Sequence, residues 1–398
     1  MKMISYIICL LVLASCSKSE SGGGAPPPPP ASNARISIAD SKQERSSTTV
    51  TNMIFVVNVE NPGSQPIAVK YTTTDGTAKA GDDYTALSGT LNIPANQHNA
   101  TIQVALPADS TREDDRTFYL QLGEVTNAKI SGTGKAAGTI ISNGTYLPVQ
   151  DAGYASPLTW PGYELKWSDD FDGKILNSAS WTHETGGNGW GNNELENYTT
   201  SSKNLFLSGG YLVIEARKET MGNNAYTSAR IITSGKKEFT YGRVDIRAKL
   251  PKGKGVWPAL WMLGANIKTV PWPASGEIDI MELLGHEPNK TYGTIHWGNA
   301  GAPSTHIGKD YVLPSGDFSQ TFHVFSLVWE ADKIEWYVDN VKFYTALSSE
   351  VTGNNPFDKP FFFIFNVAVG GNWPGNPDTN TGFPQRMIVD YIRVFQKP

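Results

Sequence analysis

Past residue 16 the chain has no cysteine; both of its cysteines, Cys9 and Cys16, lie at the extreme N-terminus of 398 residues. The rest therefore holds no disulfide, no cysteine nucleophile and no thiolate-bound zinc. Charge of one sign is not gathered into blocks either. The net charge of −5 is spread along the chain, with no basic cluster to suit nucleic acid and no acidic tail. Long amphipathic helical patterns are missing as well. Aromatic residues are plentiful, with 11 Trp, 16 Tyr and 16 Phe, so there is ample material for a core. The length exceeds one ordinary domain.

The first residues, MKMISYIICLLVLASCSKSE, open with Lys2 and an apolar run too short to remain as a spanning helix, and read as a signal peptide. The ending Leu13-Ala14-Ser15-Cys16 resembles a bacterial lipobox, which implies that residues 1–16 form the signal and that Cys16 is acylated. Ser17, rather than Asp, resembles lipoproteins sent to the outer membrane, on its periplasmic or its cell-surface face. Residues 17–32, SKSESGGGAPPPPPAS, cannot bury a core. Their proline run stiffens a tether that, over all of residues 17–32, could reach about 50 Å at about 3.1 Å per residue.

Residues 33–143 alternate apolar and polar in IFVVNVE, IAVKYTT, GTLNIP, TIQVAL and TFYLQL, with Gly, Asn and Pro between them, which predicts a small β-sandwich. The stretches TTTDGTAKAGDDYTALSGTLNIPANQHNATIQVAL, EDDRTFYLQL and NAKISGTGKAAGTI resemble a Calx-beta domain. Some members of that family bind calcium through acidic loops, and Asp82, Asp83, Glu113, Asp114 and Asp115 are available for this. The other reading is a spacer or adhesion module with solvated acidic loops.

A loop-like linker at 144–159 leads to residues 160–398, which hold all 11 tryptophans. Strand patterns recur there: YLVIEAR, GRVDIRAKL, GEIDIME, TYGTIHW, FHVFSLVWE, KIEWYVDN, FFFIFNVAV and MIVDYIRVF. They predict an all-β fold of packed antiparallel sheets. Trp167, Trp329 and Trp336 are expected in its core. The wealth of Trp and Asn suggests a carbohydrate cleft, where rings stack on sugar faces and amides bond to hydroxyls.

GEIDIME, at 276–282, carries Glu277, Asp279 and Glu282. In a regular strand Glu277 and Asp279 share a face, while Glu282 points away. One extra residue at Ile280-Met281, a β-bulge, would return Glu282 to the side of Glu277. Two carboxyls beside one bond are what glycoside hydrolysis needs, with one as nucleophile and the other as acid and then base. Asp279, between them, can hydrogen-bond the nucleophile or share a proton. Crowded carboxylates cannot all ionise cheaply, so at least one should hold its proton to unusually high pH.

PKGKGVWPALWMLGANIKTVPWPASGEIDIME, GGNGWGNNELENYT, YTSARIITSGKKEFTYGRVDIRAKL, FHVFSLVWEADKIEWYVDN and VDYIRVF together resemble glycoside hydrolase family 16. The resemblance implies a β-jelly roll at 160–398 with Glu277 as nucleophile, Glu282 as acid/base and Asp279 assisting. It implies substrate contacts at Trp190, Asn193, Arg230, Trp257, Trp261 and His296; Glu194 is either a contact or a loop anchor. No cofactor is implied for catalysis. A structural calcium is implied on Asp170, a carbonyl near Gly210 and Asp390. The loop at 186–199 looks most like the laminarinase branch, which cuts β-1,3-glucan internally. The alternatives are another polysaccharide (mixed-linkage β-glucan, agar, porphyran or carrageenan) or a non-catalytic glycan-binding lipoprotein. The expected partners are the polysaccharide and, through the lipid, the membrane; a monomer is the default.

Overall fold

A computed structural model describes residues 33–112 and 115–398. Cys16, the tether at 17–32 and the acidic pair Glu113 and Asp114 lie outside the described residues. The chain divides into two units. Residues 33–43, 51–107 and 116–140 form the first, and 44–50, 108–115 and 141–398 form the second.

The first unit is a sandwich of a four-stranded and a five-stranded sheet. Alternation builds it. In Thr51–Glu60 every second side chain, from Met53 through Phe55 and Val57 to Val59, is buried. Phe118 of the facing sheet stacks on Tyr84 at 4.2 Å. Of the acidic residues singled out above, Asp83 is buried, with its carboxylate against the Arg116 guanidinium and the Lys79 N–H. Asp83 is therefore an internal anchor.

The second unit packs two larger sheets face to face, the expected jelly-roll sandwich. One sheet runs Leu205–Ser208, Tyr211–Ala216, Gln385–Gln396, Gly242–Lys249, His323–Trp329, Lys333–Val338, Val341–Leu347. The other, the cleft sheet, runs Thr182–Glu184, Arg230–Ile232, Phe361–Val369, Val256–Gly264, Glu277–Glu282, Lys290–Trp297, Thr305–Val312. Between them lies one apolar core to which both contribute, including Ile246, Leu327 and Val389 from the first and Leu260, Ile278 and Phe365 from the second. Trp329 and Trp336 are buried in it and Trp167 packs against it, as the sequence predicted. Among the described residues the only helical segments are two short 3-10 turns, Gly189–Gly191 and Ser348–Glu350.

The stretch 144–159, expected to be a linker, is instead fastened to the second unit. Leu147 and Val149 pack on Phe206, Val213, Phe322 and Ile388. The backbone N–H groups of Leu147 and Ser156 donate to Ser208 Oγ and to the Tyr391 hydroxyl. Its Gly and Pro content looked loop-like because these contacts are made by irregular backbone, which has no periodic signature.

The register around GEIDIME contains the bulge. Leu263, Met262 and Trp261 oppose Glu277, Ile278 and Asp279; then Leu260 opposes Met281 and Ala259 opposes Glu282, so Ile280 is surplus. On the other side Asp279 opposes Thr294 and Glu282 opposes Tyr292, so Ile280 and Met281 together face one residue, Gly293. Ile278, Ile280 and Met281 all enter the core. Two consecutive inward side chains are the mark of the bulge, since in a regular ladder one of them would face the cleft. Ile280→Ala and Met281→Ala should therefore each lower stability by about 2–5 kcal/mol. Thermal or urea unfolding checks this, and a near-neutral result at either site contradicts the bulged register.

Candidate active site

An open trough of about 850 Å³ crosses the outer face of the cleft sheet. Strand alternation supplies its floor. Trp257, Ala259 and Trp261 come from one strand, Tyr292, Thr294 and His296 from another, while Val256, Leu260, Met262, Ile295 and Trp297 beside them enter the core. The bulge adds Glu277, Asp279 and Glu282 together to the same surface. The edge strand contributes His306, Gly308 and Asp310.

Each glutamate is held by an indole. Trp272 Nε1–H donates to Glu277 Oε2 (2.8 Å), and Trp257 Nε1–H donates to Glu282 Oε1 (3.1 Å). His296 Nε2 lies 3.4 Å from Asp279 Oδ2 and 3.8 Å from Glu277 Oε1. Burial, reinforced by the Asp279 charge, pushes Glu277 up to about 8, against the pull of His296 and the Trp272 N–H. Burial also pushes Asp279 up to about 8, while its hydrogen bond with Glu277 draws it down. Glu282 is held well above the ordinary carboxylate range by burial first and by the charges of Asp279 and Glu277 next. The three carboxyls thus keep protons at a pH where exposed acids have lost theirs. An acid that arrives protonated beside a charged neighbour is what general acid catalysis and nucleophilic attack require together.

Most of the residues singled out from the sequence line this trough. Trp190, Arg230, Trp257, Trp261 and His296 do so with the three acids. The Arg230 guanidinium sits 4.8 Å from the ring centres of both Trp190 and Trp261, and its Nε donates to Glu184 (2.6 Å). Asn193 is a correction. Its backbone is left-handed (φ 57°), its side chain is turned to Asn372 (2.9 Å), and it is not part of the trough lining. Asn192 lines the trough instead. Glu194 both borders the trough and anchors its loop, accepting from Asn192 Nδ2 and from the Tyr198 hydroxyl (3.2 Å each). Trp272 and Trp373 were not anticipated, yet both line the trough and are 42% exposed. Their signal in the sequence is a tryptophan set in a Pro- and Gly-rich loop, PWP and NWPG, where no strand pattern demands a core aromatic.

The calcium ligands expected on the opposite side do not fit a cation cage as arranged. The Asp390 carboxylate bonds to the Arg247 guanidinium (2.7 Å), and the Asp170 carboxylate bonds to Arg393 (3.1 Å). Both carboxylates already face a positive charge, where calcium needs uncompensated oxygens. Among the described residues, the one cluster with metal-like spacing is Glu277, Asp279 and His296, within the trough itself.

Comparison with known proteins agrees with this geometry. The family model for glycosyl hydrolases family 16 matches residues 192–393, and that for the Calx-beta domain matches residues 32–144. The chain is similar to the beta-glucanase of Rhodothermus marinus, at 41% identity over 248 residues, covering 59% of this chain and 86% of that protein. It is also similar to glucan endo-1,3-beta-glucosidase A1 of Niallia circulans, at 43% identity over 260 residues and 59% of this chain, but it spans only 38% of that longer relative. Among solved structures, the laminarinase catalytic domain from Thermotoga maritima MSB8 is 50% identical, with a TM-score of 0.56, covering 59% of this chain and 99% of that one. Behind its Calx-beta domain, the chain belongs to glycosyl hydrolases family 16.

Proposed function

We propose that this chain hydrolyses β-1,3-glucans at internal linkages, with retention of anomeric configuration. The observation that carries the reading is the bulge that gathers Glu277, Asp279 and Glu282 on one wall of the trough. Glu277 attacks the anomeric carbon while Glu282 gives its proton to the departing glycosidic oxygen, leaving a covalent glycosyl-enzyme. Glu282, now a carboxylate, takes a proton from water as that water displaces Glu277. Two inversions amount to retention. Asp279 shares a proton with Glu277, so the pair carries one negative charge and not two.

Support for the β-1,3 linkage comes from the similar proteins named endo-1,3-beta-glucosidase and laminarinase. Support for internal cleavage comes from the trough, which runs from Trp190 to the edge strand at Asp310, so that a polymer lies through it. Export and lipid attachment at Cys16 belong to the same proposal and would bring the hydrolase to a polysaccharide outside the cytoplasm.

Glu277→Gln should lower laminarin hydrolysis by at least about 10³-fold while leaving laminari-oligosaccharide binding within a few-fold. Residual activity near wild type, measured by reducing-sugar release against a panel with lichenan, agarose, porphyran and carrageenan, would sink the assignment. The same variant has a stability signature. Glu277 binds its proton more tightly folded than unfolded, so wild-type stability falls as pH rises from 4.5 through about 8, by up to about 1.4 kcal/mol per pH unit. Glutamine removes that loss, so the variant should gain melting temperature over wild type with rising pH and match it below pH 4.5. Proton NMR of the first products should show the β-anomer; early α-anomer contradicts double displacement. Cys16→Ser should move the protein from the membrane to the soluble fraction of a cell lysate, and unchanged membrane partitioning refutes acylation there.

A further inference from the structure

We infer that Trp272 and Trp257 are positioning residues that select, through their indole N–H groups, which oxygen of each catalytic glutamate does chemistry. Both roles presuppose the displacement proposed above for Glu277 and Glu282. Trp272 Nε1–H occupies Glu277 Oε2 at 2.8 Å, which leaves Oε1, the oxygen on the His296 side, to attack once the proton shared with Asp279 rests on Asp279. Trp257 Nε1–H occupies Glu282 Oε1 at 3.1 Å, which leaves Oε2 to carry the acidic proton. An oxygen that already accepts an N–H bond is the weaker base of the two, so the proton settles on the other.

The step then balances at named atoms. Glu277 Oε1 forms the bond to the anomeric carbon. The bond from that carbon to the glycosidic oxygen breaks, its electron pair stays on that oxygen, and the oxygen takes the proton from Glu282 Oε2. In the second half Glu282 Oε2 removes a proton from water, the water oxygen bonds to the anomeric carbon, and Glu277 leaves as a carboxylate.

The two tryptophans arrive by different routes. Trp257 stands on the strand beside the bulge and is braced edge-on by Trp373 at 5.5 Å. Trp272 comes from the loop between Gly264 and Glu277, is 42% exposed, and has the His296 ring at 6.4 Å. Exposure is an unfavourable setting for an indole whose only task is packing. An N–H aimed at a buried carboxylate gives it another task. The charged and titratable groups that face Glu277 are Asp279, His296 and Arg230, and those that face Glu282 are Asp279, Glu277 and His296, with the His306 ring tilted against His296 at 5.3 Å. No other indole N–H among the described residues reaches any of the three acid side chains.

Phenylalanine keeps a ring and removes the N–H, so the test is Trp272→Phe and Trp257→Phe, each with a full pH profile on laminarin. Losing a donor to a carboxylate raises its apparent pKa. Trp272→Phe should move the acid limb of kcat/KM up by about one pH unit, leave the alkaline limb in place, and lower kcat about 10-fold to 100-fold with KM within about two-fold. Trp257→Phe should move the alkaline limb up by about one unit and leave the acid limb in place. Carbon-13 NMR titration of the glutamate carboxyls gives the same two shifts without turnover, on any variant whose circular dichroism matches wild type. Limbs and carboxyl titrations that stay put in both variants, with only KM raised, overturn the inference and leave plain sugar stacking. Failure of the wild type to cleave any glucan would instead count against the reaction, with the NMR shifts still deciding the indoles.

Discussion

Trp336 lies fully buried in the sheet behind the cleft and donates its indole N–H to the main-chain carbonyl of Asp279 at 2.8 Å. That bond crosses the core to the point where the catalytic strand departs from regular pairing. It can be made because the residue opposite the bulge is Gly293, where a Cβ would meet the Trp336 ring at 2.4 Å. Thr291 closes the other end of the irregularity, its hydroxyl donating to the Glu282 carbonyl at 3.0 Å. A bulge frees backbone groups from the ladder, and freed groups in an apolar interior must find partners. Here the partners come from the core side, so the cleft side is left to the carboxyls. The aim of Glu282 is therefore set by a tryptophan and a glycine that never touch the trough.

What the bulge achieves works against stability. Three carboxyls are forced close together with limited solvent, and all three are pushed above their ordinary range. Folding must overcome this repulsion, and the broad apolar core between the two sheets supplies the driving force. The same crowding makes the site reactive, because a proton is retained on one acid beside a charge on another. Two indole N–H groups and one imidazole are the polar partners that temper the crowding, and each lies on a different loop or strand. Neutral N–H donors temper the crowding mildly, whereas a fixed cation in their place would depress the neighbouring acids further.

Much of this was legible in the residues alone. Eight alternating or apolar runs in 160–398 all became strands, and the parity break in GEIDIME pointed to a bulge at Ile280-Met281, which the register contains. Parity is a local property, and local properties survive in a sequence. Asn192 and Asn193 show the limit. They are adjacent and chemically identical, and only the left-handed turn at Asn193 decides which one lines the trough. Trp272 and Trp373 were missed because loops bring them in from outside the strand pattern. The fastened stretch at 144–159 reads as a linker in the sequence because irregular backbone carries no period. The arginines paired with Asp170 and Asp390 stand far from one or both partners in sequence, Arg393 by 223 positions from Asp170, and no motif announces such a pairing.

The two ends of the trough differ in kind, and this bears on how a polymer would be held. At one end the Arg230 guanidinium fills the space between the Trp190 and Trp261 rings, tied back by Glu184. One face of each ring is thereby covered, and the two indole N–H groups are spent within the protein, on the Gly186 carbonyl and on Asn366 Oδ1. At the other end the edge strand offers His306 and Asp310 around Gly308, and no aromatic platform of its own. A Cβ on Gly308 would strike the Gly293 carbonyl and Thr294 Oγ1, both at 2.7 Å, so a larger residue would push the edge strand away from the strand beside it.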